Sequence, residues 1–237
     1  MKFKSIAVLG ILFLTGLASA AEDRALKDQK DKVSYSIGVN IGNNLKTLPV
    51  EVNLDLIIKG IRDMVSGTKS LMTDEEIRET MMAFQKEVTA KYAEKMKVLG
   101  EKNKKEGQEF LAENKKKEGI TTLPSGLQFK VLTAGTGKKP LDTDTVTVHY
   151  RGTLIDGTEF DSSFRRGQPA TFPVKGVIPG WTEAIKLMPQ GSKWQIFIPS
   201  QLAYGERGAG NQIGPNATLI FDVELISIQE KQEKKDK

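Results

Sequence analysis

Apolar residues recur along this chain with two different periods, and the change between them falls near residue 120. Before it they return every three or four positions, the spacing of one helix face; after it they alternate, the spacing of one strand face. Val33, Ile37, Ile41 and Leu45 form the first helical row, and beside it Ser34, Gly38 and Gly42 also recur every four. Small residues at that interval let another backbone come close, although each interior glycine costs a helix roughly 1 kcal/mol. Leu48-Pro49 breaks the row. A second helix starts near Asn53, which suits an N-cap, and carries Leu54, Ile57, Ile58, Ile61 and Val65 to a stop at Ser66-Gly67. A third opens on Thr73-Asp74-Glu75-Glu76, the spacing of a capping box. It continues through Ile77, Met81, Phe84, Val88, Tyr92, Met96 and Leu99. From Gly100 to Glu118 the apolar face nearly vanishes among lysines and glutamates three or four apart, a pattern that supports an exposed helix. Helical from Thr73 to Glu118, this element would be about 68 Å long.

So few helices cannot cover three apolar faces by themselves. The expectation is a dimerisation domain at residues 21–72, its helices intertwined with those of a second copy, and a charged connecting helix at 73–118. A small monomeric bundle with a charged linker is the alternative.

Beyond Gly119 the period of two takes over. Leu127, Phe129 and Val131 alternate with polar residues, as do Val146, Val148 and Tyr150, then Trp194, Ile196 and Ile198. Asp156-Gly157 marks a hairpin turn between Thr153-Leu154 and Glu159-Phe160. Phe172 and Val174 sit in another strand, and Ala217 to Ile228 is the longest. Trp181 to Met188 reads as one short helix, started after Pro179-Gly180 and stopped by Pro189-Gln190-Gly191. Five or so antiparallel strands packed on one helix make residues 119–228 an α+β domain. Residues 229–237 are polar and expected to be disordered.

The start of the chain changes the picture in one respect. A basic Met1-Lys2-Phe3-Lys4, an apolar run from Ser5 to Leu17 and Ala18-Ser19-Ala20 have the form of a secretory signal peptide at 1–20. The run is too short for a membrane span, which needs about 20 apolar residues. The product is therefore expected to be exported, to the periplasm, with association with the outer membrane as the alternative. Loss of Lys2 and Lys4 takes the formal charge from +5 to +3, and bases and acids stay nearly equal in every segment. Nucleic-acid binders concentrate their bases, so no nucleic-acid partner is expected.

Candidate chemistry is narrowed by what the composition lacks. There is no cysteine and only one histidine, His149, which removes thiol nucleophiles and makes a histidine metal site or a serine–histidine triad untenable. No metal and no cofactor is expected. Gly135-Thr136-Gly137-Lys138-Lys139 lacks the first glycine and the Ser/Thr of a phosphate loop. Gly205, Gly208 and Gly210 run in the reverse of the dinucleotide order and read as a flexible loop. His149 neighbours Tyr150 on a strand, so the two face opposite ways, and a structural role suits the histidine.

Four short motifs remain: Val148-His149-Tyr150-Arg151-Gly152, Phe160-Asp161-Ser162-Ser163, Val177-Ile178-Pro179-Gly180-Trp181 and Ala203-Tyr204-Gly205. Their aromatics could be ordinary core. Two features favour a pocket: Trp and Tyr carry polar atoms that a dry core must satisfy, and Asp161, beside Phe160, is costly to bury unpaired. Arg165 and Arg166 stand near enough in sequence to pair with it.

These motifs, with Gly208-Ala209-Gly210 and Ile213 to Phe221 following, resemble those of FKBP-type peptidyl-prolyl cis-trans isomerases over about Thr121 to Ile228. The whole layout is similar to the exported macrophage infectivity potentiator group of that family. The resemblance implies an antiparallel sheet half-wrapped around one short helix, with the site between them. It implies Tyr150, Phe160, Asp161, Trp181, Tyr204 and Phe221 as catalytic residues, and Arg166, Phe172, Val177, Ile178 and Ile213 as substrate-binding ones. Trp181 would form the floor, and the Ile178 amide and Tyr204 hydroxyl would bond substrate carbonyls. Ala170, Ala209 and Gln212 depart from the familiar eukaryotic pattern and are expected on the pocket wall or flap. The implied activity is isomerisation of X-Pro bonds in unfolded or nascent exported polypeptides, with macrolides such as rapamycin as inhibitors and a homodimer as the assembly. The alternative is a dimeric holdase-type chaperone or peptide-binding module with little turnover.

Overall fold

A computed structural model describes residues 26–230; the expected signal segment and residues 231–237 of the polar tail lie outside them. The chain divides into two compact units, one ending at Leu56 and one running from Ile57 onward.

The first unit holds α1 (Gln29–Lys46), whose N-cap Asp28 accepts a hydrogen bond from the Asp31 amide. Its apolar row lies in the open: Val33, Ile37 and Ile41 are exposed, and a Cβ added at Gly38 or Gly42 would meet nothing within 4 Å. The division falls inside α2 (Leu54–Ser66), where the Asn53 side chain caps the Leu56 amide as its residue type suggests. Leu54, Ile58, Ile61 and Val65 are likewise exposed.

The second unit contains α3 (Asp74–Asn114), started by the expected capping box between Thr73 and Glu76. It stops four residues short of Glu118, so its length is about 61 Å. Seven strands follow: β1 (Ile120–Thr122), β2 (Gln128–Thr133), β3 (Thr145–Leu154), β4 (Glu159–Ser162), β5 (Ala170–Pro173), β6 (Lys193–Ile198) and β7 (Leu219–Gln229). They form one antiparallel sheet in the order β1-β2-β6-β7-β3-β4, with β5 also paired to β3. The short helix α4 (Pro179–Leu187) packs on one face. The expectation of five or so strands was low because β1 is too short to show an alternation; the strand expected at Phe172 and Val174 is β5, but it ends at Pro173 and Val174 begins a 3-10 turn instead. β7 also runs one residue past the expected end of the domain, and Glu230 pairs with Lys138 at 2.9 Å.

Alternation places the core. Val146, Val148 and Tyr150 of β3, Trp194, Ile196 and Ile198 of β6, and Leu219, Phe221, Val223 and Leu225 of β7 all point at α4, which contributes Trp181, Ala184 and Ile185. Four residues, 155–158, join β3 to β4; in this turn the Leu154 carbonyl accepts from the Gly157 amide and Gly157 takes the left-handed φ of +87°. Gly135 and Gly137 of the rejected phosphate loop pack instead against Gln190 and Ser192.

One expectation needs correction. The C-terminal half of α3 is no free-standing stem, because Gly100, Gly107 and Asn114 are buried. They lie against the face of the sheet opposite α4. Gln128 and Phe197, paired across β2 and β6, point outward there and are nonetheless buried. Phe110 packs on Phe197 with ring centroids 5.9 Å apart. The Gln128 amide donates to the Leu111 carbonyl at 2.9 Å and accepts from Asn114 Nδ2 at 3.0 Å. The docking stripe is mostly glycine and asparagine, which is why a search for apolar residues passes over it.

Candidate active site

Between α4, β3, β7 and the β6–β7 loop lies a cavity of about 640 Å³. Tyr150 enters from β3, Phe160 and Asp161 from β4, Phe172 from β5, Trp181 from α4 and Phe221 from β7. Val177 and Ile178, just before α4, make one lip; Tyr204 and Ile213, on the β6–β7 loop, make another. Of the residues expected at the site, Arg166 alone is not on the wall. It stands behind Asp161. Gly176 and Gln212 line the cavity without having been expected there as site residues. Gln212 is noticeable in the sequence as a departure from pattern, whereas Gly176 gives no signal beyond its position between Phe172 and Val177. Ala170 and Ala209 pack against the core rather than on the wall.

The aromatics meet edge to face. Trp181 stands at 85–87° to Phe221 (5.2 Å) and Tyr150 (5.3 Å), and Phe160 at 86° to Phe221 (5.5 Å). Such pairs place the positive edge of one ring on the negative face of the next and so fix the shape of an apolar bowl. Pro179 at N1 sets the start of α4, and the Trp181 and Thr182 amides turn back onto the Ile178 carbonyl. The Ile178 amide and the Tyr204 hydroxyl have no hydrogen-bond partner among the described residues. Two donors thus stand at the mouth of a bowl whose lining is mostly aromatic and aliphatic, Asp161 and Gln212 being the polar exceptions.

A polar knot closes one side. The Tyr150 hydroxyl donates to Asp161 Oδ2, and Arg166 donates to Asp161 Oδ1 at 2.5 Å and to the Tyr150 oxygen at 2.7 Å. Its guanidinium also lies 5.4 Å from the centre of the Tyr150 ring. Arg165, the other candidate partner, pairs with Glu159 instead. Burial and the hydrogen bond to Asp161 push the Tyr150 hydroxyl above its usual value. Burial also acts to raise the Asp161 carboxyl, but the bonds from Tyr150 and Arg166 outweigh it and hold the group below its usual 3.8. A carboxyl lowered by folding adds stability above its unfolded value and loses it as pH falls through the folded one. Activity should therefore stay level from about pH 7 to pH 5 and fall only below about pH 4, measured where circular dichroism still reports a native fold. Asp161→Asn should remove that acid limb. A titration near neutral pH would mean that some other group governs the rate.

His149 lies on the opposite face of the sheet, as its neighbour's orientation demands. Its ring stacks on Phe164 (4.6 Å, 11°) and Nδ1 lies 3.0 Å from Ser163 Oγ. Among the described residues no group of three or more His, Cys, Asp or Glu is placed to hold a metal.

Comparison with known proteins identifies the family. The family model for FKBP-type peptidyl-prolyl cis-trans isomerase matches residues 136–226, and the model for the domain amino terminal to it matches 30–131. The chain is 49% identical over 229 residues to "Outer membrane protein MIP" of Legionella longbeachae, covering 97% of this chain and 98% of that one. It is 45% identical over 231 residues to "Peptidyl-prolyl cis-trans isomerase Mip" of Coxiella burnetii, covering 98% and 100%. The crystal structure of FkpA from Escherichia coli superposes with a TM-score of 0.67 at 40% identity, covering 86% of this chain and 99% of that one. The chain belongs to the FKBP-type peptidyl-prolyl cis-trans isomerases, and its activity is isomerisation of the X-Pro peptide bond.

Proposed function

We propose that the aromatic bowl is the catalytic site and that it works by binding a twisted amide without covalent chemistry. Rotation about an X-Pro bond faces a barrier of about 18–20 kcal/mol, because the amide loses its resonance, and takes tens of seconds or more unaided. The twisted amide is less polar than the planar one, so a pocket poor in water favours it. That is catalysis by differential binding. Tyr150, Phe160, Trp181 and Phe221 supply the apolar surround, with Phe172, Val177 and Ile213 at its edges. The Ile178 amide and the Tyr204 hydroxyl hold substrate carbonyls on either side of the turning bond. Asp161, kept ionised by Arg166, fixes the Tyr150 ring as part of the wall. The observation that carries this reading is the pairing of two free donors with a cavity whose walls, apart from Asp161, Gln212 and Gly176, are aromatic and aliphatic.

The same reading extends to the rest of the chain. Residues 1–20 direct export, and the substrates are unfolded or nascent polypeptides in the periplasm, at or near the outer membrane. The exposed apolar rows of α1 and α2 pair with those of a second copy, so that two bowls sit on one scaffold and hold a client together. Chaperone activity accompanies isomerisation, and rapamycin-type macrolides occupy the bowl.

The test uses residues 21–237, first shown by sedimentation to be a dimer. Tyr204→Phe should lower the isomerisation rate of a short X-Pro peptide about tenfold, the loss of one hydrogen bond made in the transition state. It should leave suppression of client aggregation unchanged. Equal loss of both would show that the two activities share one determinant, and no loss of rate would remove Tyr204 from the site.

A further inference from the structure

Two wall residues, Tyr204 and Ile213, belong to the long β6–β7 loop at residues 199–218, and that loop rests on α3. Its tip is closed by the paired Ala209 and Ile213 backbones, at 2.8 and 3.1 Å, and its base by the Asn216 amide donating to the Gly205 carbonyl at 2.8 Å. Gly205 directly follows Tyr204. Asn216 is the one non-glycine residue with positive φ among those described, at +56°, a conformation that asparagine tolerates but that neighbouring contacts must hold.

Those contacts come from the helix. Asn216 Nδ2 donates to the Gly100 carbonyl at 3.3 Å, and Asn103 Nδ2 donates to the Pro215 carbonyl at 2.8 Å. A Cβ on Gly107 would stand 2.3 Å from Thr218 Oγ1, and one on Gly100 would stand 3.1 Å from Pro215 Cβ. Gly100, Asn103 and Gly107 share one helix face, being three and four apart. The glycines therefore let the short side chains of the loop's return leg, Pro215, Asn216 and Thr218, sit directly on the helix backbone, with no room for a side chain on the helix.

We propose that this face of α3 is part of the active-site apparatus, with Gly100, Asn103 and Gly107 acting as positioning residues for the loop that carries Tyr204 and Ile213. Contact runs from Asn103 and Gly100 to Pro215 and Asn216, from Asn216 to Gly205, and so to Tyr204. No member of the stripe touches substrate. The helix sets the distance between the Tyr204 hydroxyl and the Ile178 amide on the far lip, and with it the span of substrate chain that both can hold. This rests on the roles given to Tyr204 and the bowl above.

The experiment is steady-state kinetics on an X-Pro peptide with the full mature chain. Asn103→Ala, which removes one hydrogen bond, should lower kcat/KM about threefold to tenfold with little change in melting temperature. Gly107→Ala should lower it between about tenfold and 100-fold, as misplacement of an active-site group does. Adding Thr218→Ala, which deletes the oxygen that the new methyl would strike, should recover most of that loss. In a Tyr204→Phe background, Asn103→Ala should cost much less than it does alone, because contacts acting through one group are not additive.

Undiminished kcat/KM in both single variants, no recovery in the Gly107→Ala/Thr218→Ala pair, or full additivity with Tyr204→Phe would each overturn the proposal. Tyr204→Phe alone separates the two levels. If it is as fast as the parent protein, the role given to Tyr204 fails and the α3 proposal with it; if it is slow while Asn103→Ala and Gly107→Ala are not, only the role of α3 fails.

Discussion

Gly152→Ala should lower kcat/KM on X-Pro peptides by about 100-fold and destabilise the domain by about 1–3 kcal/mol. Gly152 sits in β3 between Asp161 of β4 and Phe221 of β7, so its backbone is fixed by ladders on both sides. A Cβ there would come within 2.7 Å of Phe160 Cε2 and Cζ and of Phe221 Cε1. Ladders on both sides give less readily than side chains, so the two rings would turn, and the open direction is the bowl. Kinetics with a thermal melt in parallel separates the two effects. A variant that melts normally and turns over within about threefold of the parent would show that ring placement does not limit the rate.

Trp181→Ala should be the most damaging truncation to stability. The side chain is 4% exposed and holds Tyr150, Phe172 and Phe221 on its faces and edges. Deleting a buried tryptophan costs about 3–5 kcal/mol, a large share of the roughly 5–15 kcal/mol that holds a domain folded. Denaturant titration should show the midpoint shifted down without a change of slope. Trp181→Leu keeps much of the volume and should fold well enough for assay, yet lose most isomerase activity, because a smaller side chain leaves the floor open to water. The chain's other tryptophan, Trp194, stacks on Phe129 at 4.3 Å, away from the bowl. A fluorescence change on ligand binding should therefore vanish in Trp181→Leu. Its survival would place the ligand elsewhere.

How far this architecture can be read from residues alone depends on what kind of contact holds each part. The strands of the inner face were legible because Val146, Val148 and Tyr150, or Trp194, Ile196 and Ile198, alternate without interruption. The start of α3 was legible because a capping box is a local event between Thr73 and Glu76. The bowl was legible only through the resemblance of its motifs: nothing in the spacing of Tyr150, Trp181 and Phe221 says that sheet and helix bring them edge to face. Spacing narrowed the partner of Asp161 to two neighbouring arginines and the resemblance singled out Arg166; the physical reason, that Arg166 also bonds the Tyr150 oxygen, appears only in the structure.

The docking of α3 was not legible at all. Hydrophobic periodicity finds faces that bury large side chains, and this face buries glycine and asparagine against a loop and a glutamine. The same blindness covers Gln128 and Phe197, which lie on the face of the sheet opposite α4 and off the apolar alternation. They are buried by a helix whose own sequence reads as a charged rod. Gln212 on the cavity wall belongs with them, since a polar residue in a glycine-rich loop carries no sign of the surface it faces.

The most direct test of the account is the cis-to-trans rate of a short X-Pro peptide with residues 21–237, followed as rapamycin is titrated. The account predicts acceleration that disappears at one equivalent of rapamycin per chain, with quenching of Trp181 fluorescence over the same range. Acceleration that persists at saturating rapamycin, with the fluorescence change complete, would show that the bowl binds the macrolide but is not where the bond turns.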